Sequence, residues 1–270
     1  MRVLVSADME GATGTTGWKD VEPGQPAFER FRRLLTRDVN AAVEGAFDGG
    51  ATEVVVNEAH DGMRNILIEE LDDRAQLISG LHKPLVMMAG IDDCDVVFFV
   101  AYHARAGEPG VLAHTLTDDY VNVDLNGEPA SEARLNAVLA GRSDIPVAVV
   151  SGDDVICAEA EKLFQGVRTA VVKYAIDNFS ARCVTPRVSA DRIREAARLS
   201  LTERGTLAPY RVDPPYTVRV TLREPAQAGA VSMVPGVVRE SSTTVAFTSE
   251  DYRHVYGALE AMGTIAGTVQ

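Results

Sequence analysis

Four residues that can bind a metal ion follow three apolar segments of the chain. Asp8 and Glu10 come directly after the first segment, His60 follows the second, and His103 follows the third. If the backbone stays extended over residues 8 to 10, the two carboxylates point to the same side, because side chains alternate along a strand. Glycines next to these residues allow the backbone to crowd a small polar cavity. They are Gly11, Gly14, Gly62 and Gly107.

Carboxylates and imidazoles without a thiolate suit a hydrolytic zinc or manganese site rather than a structural zinc site. With Glu132 as a further candidate, the carboxylates of Asp8, Glu10 and Glu132 sum to −3, more than one divalent ion balances. Two divalent ions supply +4 and leave one charge for a hydroxide, the nucleophile of metal-assisted hydrolysis. The charge count therefore favours two metal ions. Glu132 opens a predicted helix, and the sequence alone does not place it beside the other candidates.

The elements that must position these residues are strands of a parallel sheet. Residues 2–7, 53–56 and 95–100 are continuous apolar runs, which are typical of strands buried on both faces. Between the first two, apolar residues recur every three or four positions and predict a helix that ends at Gly49-Gly50. Ligands of an open parallel sheet bind at the carboxyl ends of its strands, so the four side chains are expected to meet there. The predicted fold class is α/β, a parallel-rich sheet flanked by helices.

The rest of the chain continues this pattern and then changes character. We predict helices over 131–141, 154–165 and 189–204, the last capped by Ser189, and a strand over 145–150. After Pro214-Pro215, the alternation in 216–222 and 243–247 predicts half-exposed strands. The expected division is an α/β metal-binding catalytic core over 1–185 and a smaller α+β subdomain over 186–270, which takes part in oligomerisation.

Composition excludes several classes of partner. The 270 residues carry 26 Lys and Arg against 39 Asp and Glu, a net charge of −13 that repels nucleic acid. No apolar stretch approaches the roughly 20 residues that span a bilayer, and the first residues lack a signal-peptide pattern. Cys94, Cys157 and Cys183 are an odd number without a Cys-x-x-Cys pair, which is typical of reduced thiols. The expected location is the cytoplasm.

Residues 6–11, Ser-Ala-Asp-Met-Glu-Gly, resemble the Ser-x-Asp-x-Glu-Gly signature of the D-aminopeptidase family. Members of that family are self-compartmentalising zinc peptidases associated with dipeptide-transport operons. The resemblance continues, in order, through further segments spread over about half of the chain. They are Asn-Glu-Ala-His-Asp-Gly at 57–62, Gly-Leu-His-Lys-Pro at 80–84, Met-Met-Ala-Gly at 87–90, Phe-Val-Ala-Tyr-His-Ala-Arg-Ala-Gly at 99–107, His114, and Asn126-Gly127 with Glu132.

This resemblance implies a function and a ligand set. By resemblance the chain is an aminopeptidase that releases N-terminal residues, D-amino acids such as D-alanine, from short peptides, and Asp8 bridges two zinc ions per chain. His114 lies beside them and takes part in catalysis. The resemblance also implies a homo-oligomer, a ring-based decamer with active sites facing an inner channel. The implied zinc ligands are Asp8, Glu10, His60, His103 and Glu132.

Three questions stay open on the sequence. Residues 174–183 are less typical of the family, and ligand types do not distinguish D- from L-residues, so the substrate preference is undetermined. Another two-metal amidohydrolase or a phosphoesterase could use the same ligands; a phosphoesterase would need a cation near the metals, for which Arg64 and Arg105 are the candidates. A non-catalytic metal-binding scaffold is the third alternative, and it would tolerate the loss of His114.

Overall fold

The strands form two sheets in residues 1–269, the part of the chain that the computed structural model describes. The first sheet has seven strands, named here by chain order and given in their spatial order: β3 (Ala75–Ile78), β2 (Glu53–Glu58), β1 (Arg2–Ala7), β4 (Val96–Tyr102), β7 (Val147–Asp153), β8 (Arg168–Asp177) and β9 (Ser180–Cys183). The second sheet has five: β11 (Val237–Arg239), β12 (Thr244–Ser249), β10 (Tyr216–Leu222), β5 (Tyr120–Leu125) and β6 (Glu128–Pro129).

Helices cover the first sheet on both faces. The α-helices are α1 (Trp18–Val21), α2 (Phe28–Asp48), α3 (Glu132–Gly141), α4 (Asp154–Leu163), α5 (Pro186–Thr202), α6 (Pro225–Val231) and α7 (Tyr252–Ala266). Short 3-10 turns lie at Ile68–Glu70, Val86–Met88, Ile91–Asp93 and Arg204–Thr206. No helix among residues 1–269 combines the length and the apolar character needed to cross a membrane.

The predicted fold class is confirmed. Every pairing within the first sheet is parallel except that of β9 with β8. Strand β1 lies between β2 and β4, and Ala7 at its end is level with Glu58 on one side and Val100 on the other. The three apolar runs singled out in the sequence are therefore adjacent strands, and their carboxyl ends lie side by side.

Alternate residues of β1 pack into two different cores. Val3 and Val5 face the layer formed by α2 and α5, whereas Leu4 faces the layer that contains α3, α4 and α7. Helix α3 is buried along its whole length, because the first sheet lies on one side of it and the C-terminal helix α7 lies against it on the other. The C-terminal elements thus pack directly on the core that carries the candidate metal ligands.

The structure differs from the sequence prediction in the start of one helix and in the number of elements. Helix α5 begins at Pro186 with Thr185 as its N-cap residue, so the prediction that Ser189 caps it was wrong. Proline needs no backbone N–H in the first turn, and its fixed φ starts the helix three residues earlier. The sequence also did not predict several elements, among them short ones such as β3 and β11 that lack a clear alternation of apolar residues. The strands that were not predicted are β3, β5, β6, β8, β9 and β11, and the helices are α1, α6 and α7.

The division near residue 185 stays a prediction, but the sheets do not separate at that point. Strands β5 and β6 precede residue 185 and nevertheless pair with β10 and with each other in the second sheet. Helix α5 follows residue 185 and packs on α2 and β8 of the first sheet. Long-range pairing of this kind has no signature in local periodicity.

Candidate metal centre

The ends of three neighbouring strands bring the predicted ligands together. Asp8 and Glu10 follow β1, His60 lies two residues after β2, and His103 follows β4 directly. The backbone N–H of Asp8 donates to the Val100 carbonyl at 2.9 Å, which continues the β1–β4 ladder up to the first ligand. All four side chains are buried. The carboxyl edge of the sheet is therefore where the sequence pattern placed the site.

Close packing of the backbone below the site requires glycine at position 11. The Gly11 N–H donates to the Ala101 carbonyl at 2.8 Å. A Cβ atom on Gly11 would lie 1.9 Å from the Tyr102 carbonyl oxygen, a distance that no side chain can adopt. Glycine thus allows the segment that carries Glu10 to lie against the end of β4, where His103 begins.

Helix α3 contributes the fifth candidate ligand, the carboxylate of Glu132. Glu132 is its first residue, after Ser131, whose side chain caps the helix by accepting from the Arg134 N–H. The Glu132 carboxylate accepts from the Leu116 N–H at 2.6 Å, and its Oε1 lies 3.3 Å from His103 Nε2. The structure therefore places Glu132 beside the strand-end residues, which the sequence alone did not do.

Each imidazole of the site is oriented by a backbone carbonyl. His60 Nε2 lies 2.9 Å from the Val21 oxygen, His103 Nδ1 lies 2.9 Å from the Ala104 oxygen, and His114 Nδ1 lies 2.9 Å from the Leu112 oxygen. A carbonyl only accepts, so in each ring that nitrogen carries the proton and donates. The other nitrogen of each ring faces carboxylates. Metal-binding histidines are held in this way, with one nitrogen donating to the protein and the other free for the ion.

Distances between the candidate donor atoms match a shared metal site. His60 Nδ1 lies 3.0 Å from Glu10 Oε2 and 3.5 Å from Asp8 Oδ1, and His103 Nε2 lies 3.3 Å from Asp8 Oδ2. Two ligand atoms at zinc–ligand distances of about 2.0–2.1 Å in a tetrahedral site are separated by about 3.3 Å. Asp8 Oδ2 and His103 Nε2 are also buried without a hydrogen-bond partner among residues 1–269. Buried polar atoms are rarely left so, and an ion between them would supply the missing interaction. The residues present fit zinc.

Two groups of donor atoms are compact enough to hold an ion. One consists of Asp8, Glu10 and His103, and the other of His103, His114 and Glu132, with the donor atoms of each group within 4.8 Å of one another. His114 stacks on His103 with a centroid distance of 4.1 Å and an angle of 5° between the rings. Its Nε2 lies 3.9 Å from Glu10 Oε1 and 3.8 Å from Glu132 Oε1. The structure thus brings together all six residues that the sequence singled out.

The buried carboxylates draw positive charge into the site. Burial raises the pKa of Asp8, and the neighbouring charge of Glu10 raises it further. Burial acts in the same direction on Glu10, but the charge of His60 outweighs it and holds the Glu10 pKa well below its usual range. Burial disfavours charged imidazoles, yet Glu10 raises the pKa of His60 and Glu132 raises that of His103 well above the usual value. Cations, whether protons or metal ions, are therefore strongly favoured between these groups.

A buried lysine supports the segment that carries Glu10, and the sequence analysis did not assign it a role. The Lys173 ammonium on β8 donates to the carbonyl oxygens of Glu10, Ala12 and Thr15 and to the Thr15 hydroxyl. Lys173 is fully buried, which is rare for lysine unless its donors are all used. A charged residue inside the apolar run of β8 was the available signal. Lys173 therefore holds the backbone of the segment that carries Glu10 in place.

The candidate metal centre opens into a cavity of about 160 Å³. Its wall combines ligands and His114 with apolar side chains and two further carboxylates, those of Asp61 and Glu260. No lysine or arginine lines it among the described residues. Burial and the nearby Glu132 raise the pKa of Glu260 to about 7. Sequence reasoning missed Glu260, because it lies on α7 in the region where the motif resemblance is weakest.

Comparisons with known proteins agree over nearly the whole chain. A family model described as D-aminopeptidase matches residues 1–261. The D-aminopeptidase of Bacillus subtilis (strain 168) is 34% identical over 268 residues, which are 98% of this chain and 98% of that protein. A solved structure, the Zn-dependent D-aminopeptidase DppA from Bacillus subtilis, described as a self-compartmentalizing protease, superposes with a TM-score of 0.97 at 33% identity. That likeness covers 100% of this chain and 99% of the other.

Proposed function

The chain belongs to the D-aminopeptidase family and is a metallopeptidase, and from that premise we propose that it uses two zinc ions to release N-terminal residues from short peptides. D-Alanine is the residue that we expect it to release. The proposed ligands are Asp8, Glu10, His60, His103 and Glu132. Asp8 is the proposed bridge between the ions, because one of its oxygens faces His60 and the other faces His103.

The observation that carries this proposal is the orientation of the imidazoles. His60 and His103 each donate one N–H to a backbone carbonyl and turn the second nitrogen toward buried carboxylates. A neutral nitrogen in that position would face oxygen lone pairs, which repel it. The histidine nitrogens and carboxylate oxygens would instead be held together as ligands if a divalent ion were bound. Zinc, when bound, polarises a substrate carbonyl and lowers the pKa of water to about 7.

The residues of the chain perform the remaining tasks. The ligands hold three negative charges out of water, in a setting where electrostatic interactions are stronger than in bulk solvent. His114 is held by the Leu112 carbonyl at Nδ1, so its Nε2 is the atom that faces the cavity. We assign Nε2 the task of accepting a proton from the attacking water and returning it to the amine that leaves. His114 is therefore the proposed catalytic residue.

The lining of the cavity argues against a phosphoesterase. Arg105 forms an ion pair with Glu108, Arg64 is exposed, and neither lines the cavity. A phosphate ester would bring further negative charge to a wall that already carries five carboxylates and no lysine or arginine among the described residues. A peptide substrate has a neutral carbonyl and a cationic amine, and a wall rich in carboxylates attracts such a cation.

We also propose that the chain forms a homo-oligomer, with a ring-based decamer as the form that the family resemblance implies. Support comes from the solved relative, which is described as self-compartmentalizing. Large apolar side chains are exposed on this chain, and burying them between copies would be favourable. They include Ile68, Val121, Ile176, Phe179, Met233 and Val238. The three unpaired cysteines are consistent with a cytoplasmic location.

The test combines metal analysis with a substrate panel. Purified protein should contain two zinc ions per chain by elemental analysis, and chelation should abolish hydrolysis until zinc is restored. Matched D- and L-alanyl dipeptides measure the stereochemical preference, and light scattering measures the mass in solution. A measured content of one ion per chain would refute the proposed two-metal site. No hydrolysis of any alanyl peptide by the zinc-loaded protein would remove the aminopeptidase function, and a monomer mass would remove the ring.

A further inference from the structure

The C-terminal helix brings an additional carboxylate to the catalytic cavity. Helix α7 docks on α3 through two tyrosines one turn apart: Tyr252 donates to the Leu135 carbonyl at 2.8 Å, and Tyr256 donates to Asn136 Oδ1 at 2.7 Å. Glu260 is the next residue along that face of α7, four positions after Tyr256. Glu132 is the corresponding residue of α3, four positions before Asn136. The docking of the two helices therefore places Glu260 beside the metal centre.

The Glu260 carboxylate has no hydrogen-bond or ion-pair partner among residues 1–269 that would explain its position. The hydrogen bond that Glu260 receives, from the Thr264 hydroxyl at 3.0 Å, goes to its backbone oxygen. Among residues 1–269, no hydrogen bond or ion pair reaches its side chain, and the neighbouring charge is the like charge of Glu132. A partly buried carboxylate facing a second carboxylate is unfavourable on its own. The two carboxylates become favourable when a cation binds between them.

That cation is not one of the metal ions. The groups of donor atoms compact enough to hold an ion are Asp8, Glu10 and His103, and His103, His114 and Glu132. Glu260 belongs to neither group within the described part of the chain. His60 also belongs to neither, but it lies 3.0 Å from Glu10 Oε2, whereas no histidine of residues 1–269 lies within ion-pair distance of the Glu260 carboxylate. Glu260 nevertheless lines the same cavity as Glu10 and His114. The remaining cation available to a peptidase of this kind is supplied by the substrate, at the peptide N-terminus.

We propose that Glu260 binds the α-amino group of the peptide substrate and thereby selects chains with a free N-terminus. This inference rests on the proposed aminopeptidase function and names the residue that recognises the amine. The α-amino nitrogen is about 2.5 Å from the carbonyl carbon to which it is linked through Cα. An acceptor for it must therefore lie in the same small cavity as the reacting carbonyl, as Glu260 does. Apolar side chains such as Met63 and Leu116 remain for the first side chain of the peptide.

The experiment compares two substrates that differ at one atom. D-Alanyl-p-nitroanilide carries the amine, and D-lactyl-p-nitroanilide carries a hydroxyl in its place. In Glu260→Gln, the KM for the alanyl substrate should rise roughly 10- to 100-fold, the size of one lost hydrogen bond to a charged group, with kcat largely unchanged. The lactyl substrate should be hydrolysed as by the wild type. Glu250→Gln, the same charge change at an exposed position, should affect neither substrate.

A second readout does not depend on turnover. Calorimetric titration of the zinc-loaded protein with D-alanine and with D-lactate measures the preference for the amine directly. Glu260→Gln should weaken the binding of D-alanine and leave that of D-lactate unchanged, with zinc content and melting temperature at wild-type levels. The glutamine variant should fold, because the Glu260 side chain makes no hydrogen bond within residues 1–269 that the replacement would remove.

Several results would overturn the inference. If Glu260→Gln keeps the preference for the amine, the amine is held elsewhere, for example by a metal ion. If both substrates are affected equally, or zinc is lost, Glu260 has a structural or metal-binding role. If Asp61→Asn alone removes the preference, the acceptor is Asp61, the other carboxylate of the wall without an assigned role. If the wild type hydrolyses no alanyl substrate at all, the proposed function fails, and this inference fails with it.

Discussion

Replacing His114 tests whether the site is catalytic or only binds metal ions. Its Nδ1 donates to the Leu112 carbonyl, and its Nε2 lies 3.9 Å from Glu10 Oε1 and 3.8 Å from Glu132 Oε1. Replacing it with alanine removes the proton-transferring nitrogen but none of the five proposed zinc ligands. We expect kcat to fall by about 10²–10⁴-fold, since a positioned acid–base group contributes that much, which corresponds to about 2.7–5.5 kcal/mol in the barrier.

The structural cost of this replacement should be small by comparison. The hydrogen bond to Leu112 is worth about 1 kcal/mol, and the ring is only partly buried, with its remaining contacts to His103 and Trp18. The assay is steady-state hydrolysis of an alanyl dipeptide together with zinc content and melting temperature. His82→Ala is the matched control, because His82 is exposed and lies outside the cavity lining.

Two outcomes would refute the catalytic role of His114. An active His114→Ala variant would show that another group moves the proton. A variant that loses zinc, with affinity lowered by roughly 10–100-fold, would show that His114 supports or ligates a metal ion, as the compact group of His103, His114 and Glu132 permits. The expected result is a variant that is nearly inactive and fully loaded with zinc.

Three further replacements test the surroundings of the site. Asp8→Asn should lower zinc content from two ions to one or none, because a neutral amide cannot bridge two cations; retention of both ions by elemental analysis would show that Asp8 is not the bridge. Lys173→Met should lower zinc affinity by roughly 10–100-fold, measured by competition with a chelator, because Glu10 loses the ammonium that fixes its backbone; unchanged affinity would contradict this role. Asp38 accepts from the Thr13 N–H and hydroxyl, and burial raises its pKa from the usual 3.8 to about 6. The folded state therefore binds this proton more tightly than the unfolded chain, and stability is lost as the pH rises through about 6. Relative to the wild type, Asp38→Asn should gain about 3 kcal/mol of unfolding free energy between pH 3.5 and pH 7 in urea titrations, whereas a constant difference would refute the assignment.

The sequence by itself determined the parallel sheet and the edge of it at which the candidate ligands lie. Continuous apolar runs before Asp8, His60 and His103 specify strands buried on both faces, and parallel strands present their carboxyl ends on one side. These are properties of short segments combined with a general rule of topology. The ligand types, carboxylate and imidazole without thiolate, pointed to a hydrolytic metal site for the same reason, since metal preference follows the chemistry of the donor atoms.

Only the tertiary structure decided how the site is completed. Glu132 joins it because α3 packs on the sheet, and the histidines are aimed by the carbonyls of Val21, Ala104 and Leu112. None of these carbonyls has a signature in the sequence, because every residue carries one. Lys173 and Glu260 reach the site from β8 and α7, far from the first ligands along the chain. Such contacts depend on which surfaces pack together. Local periodicity predicts that a surface is apolar, but it does not specify the element against which that surface packs.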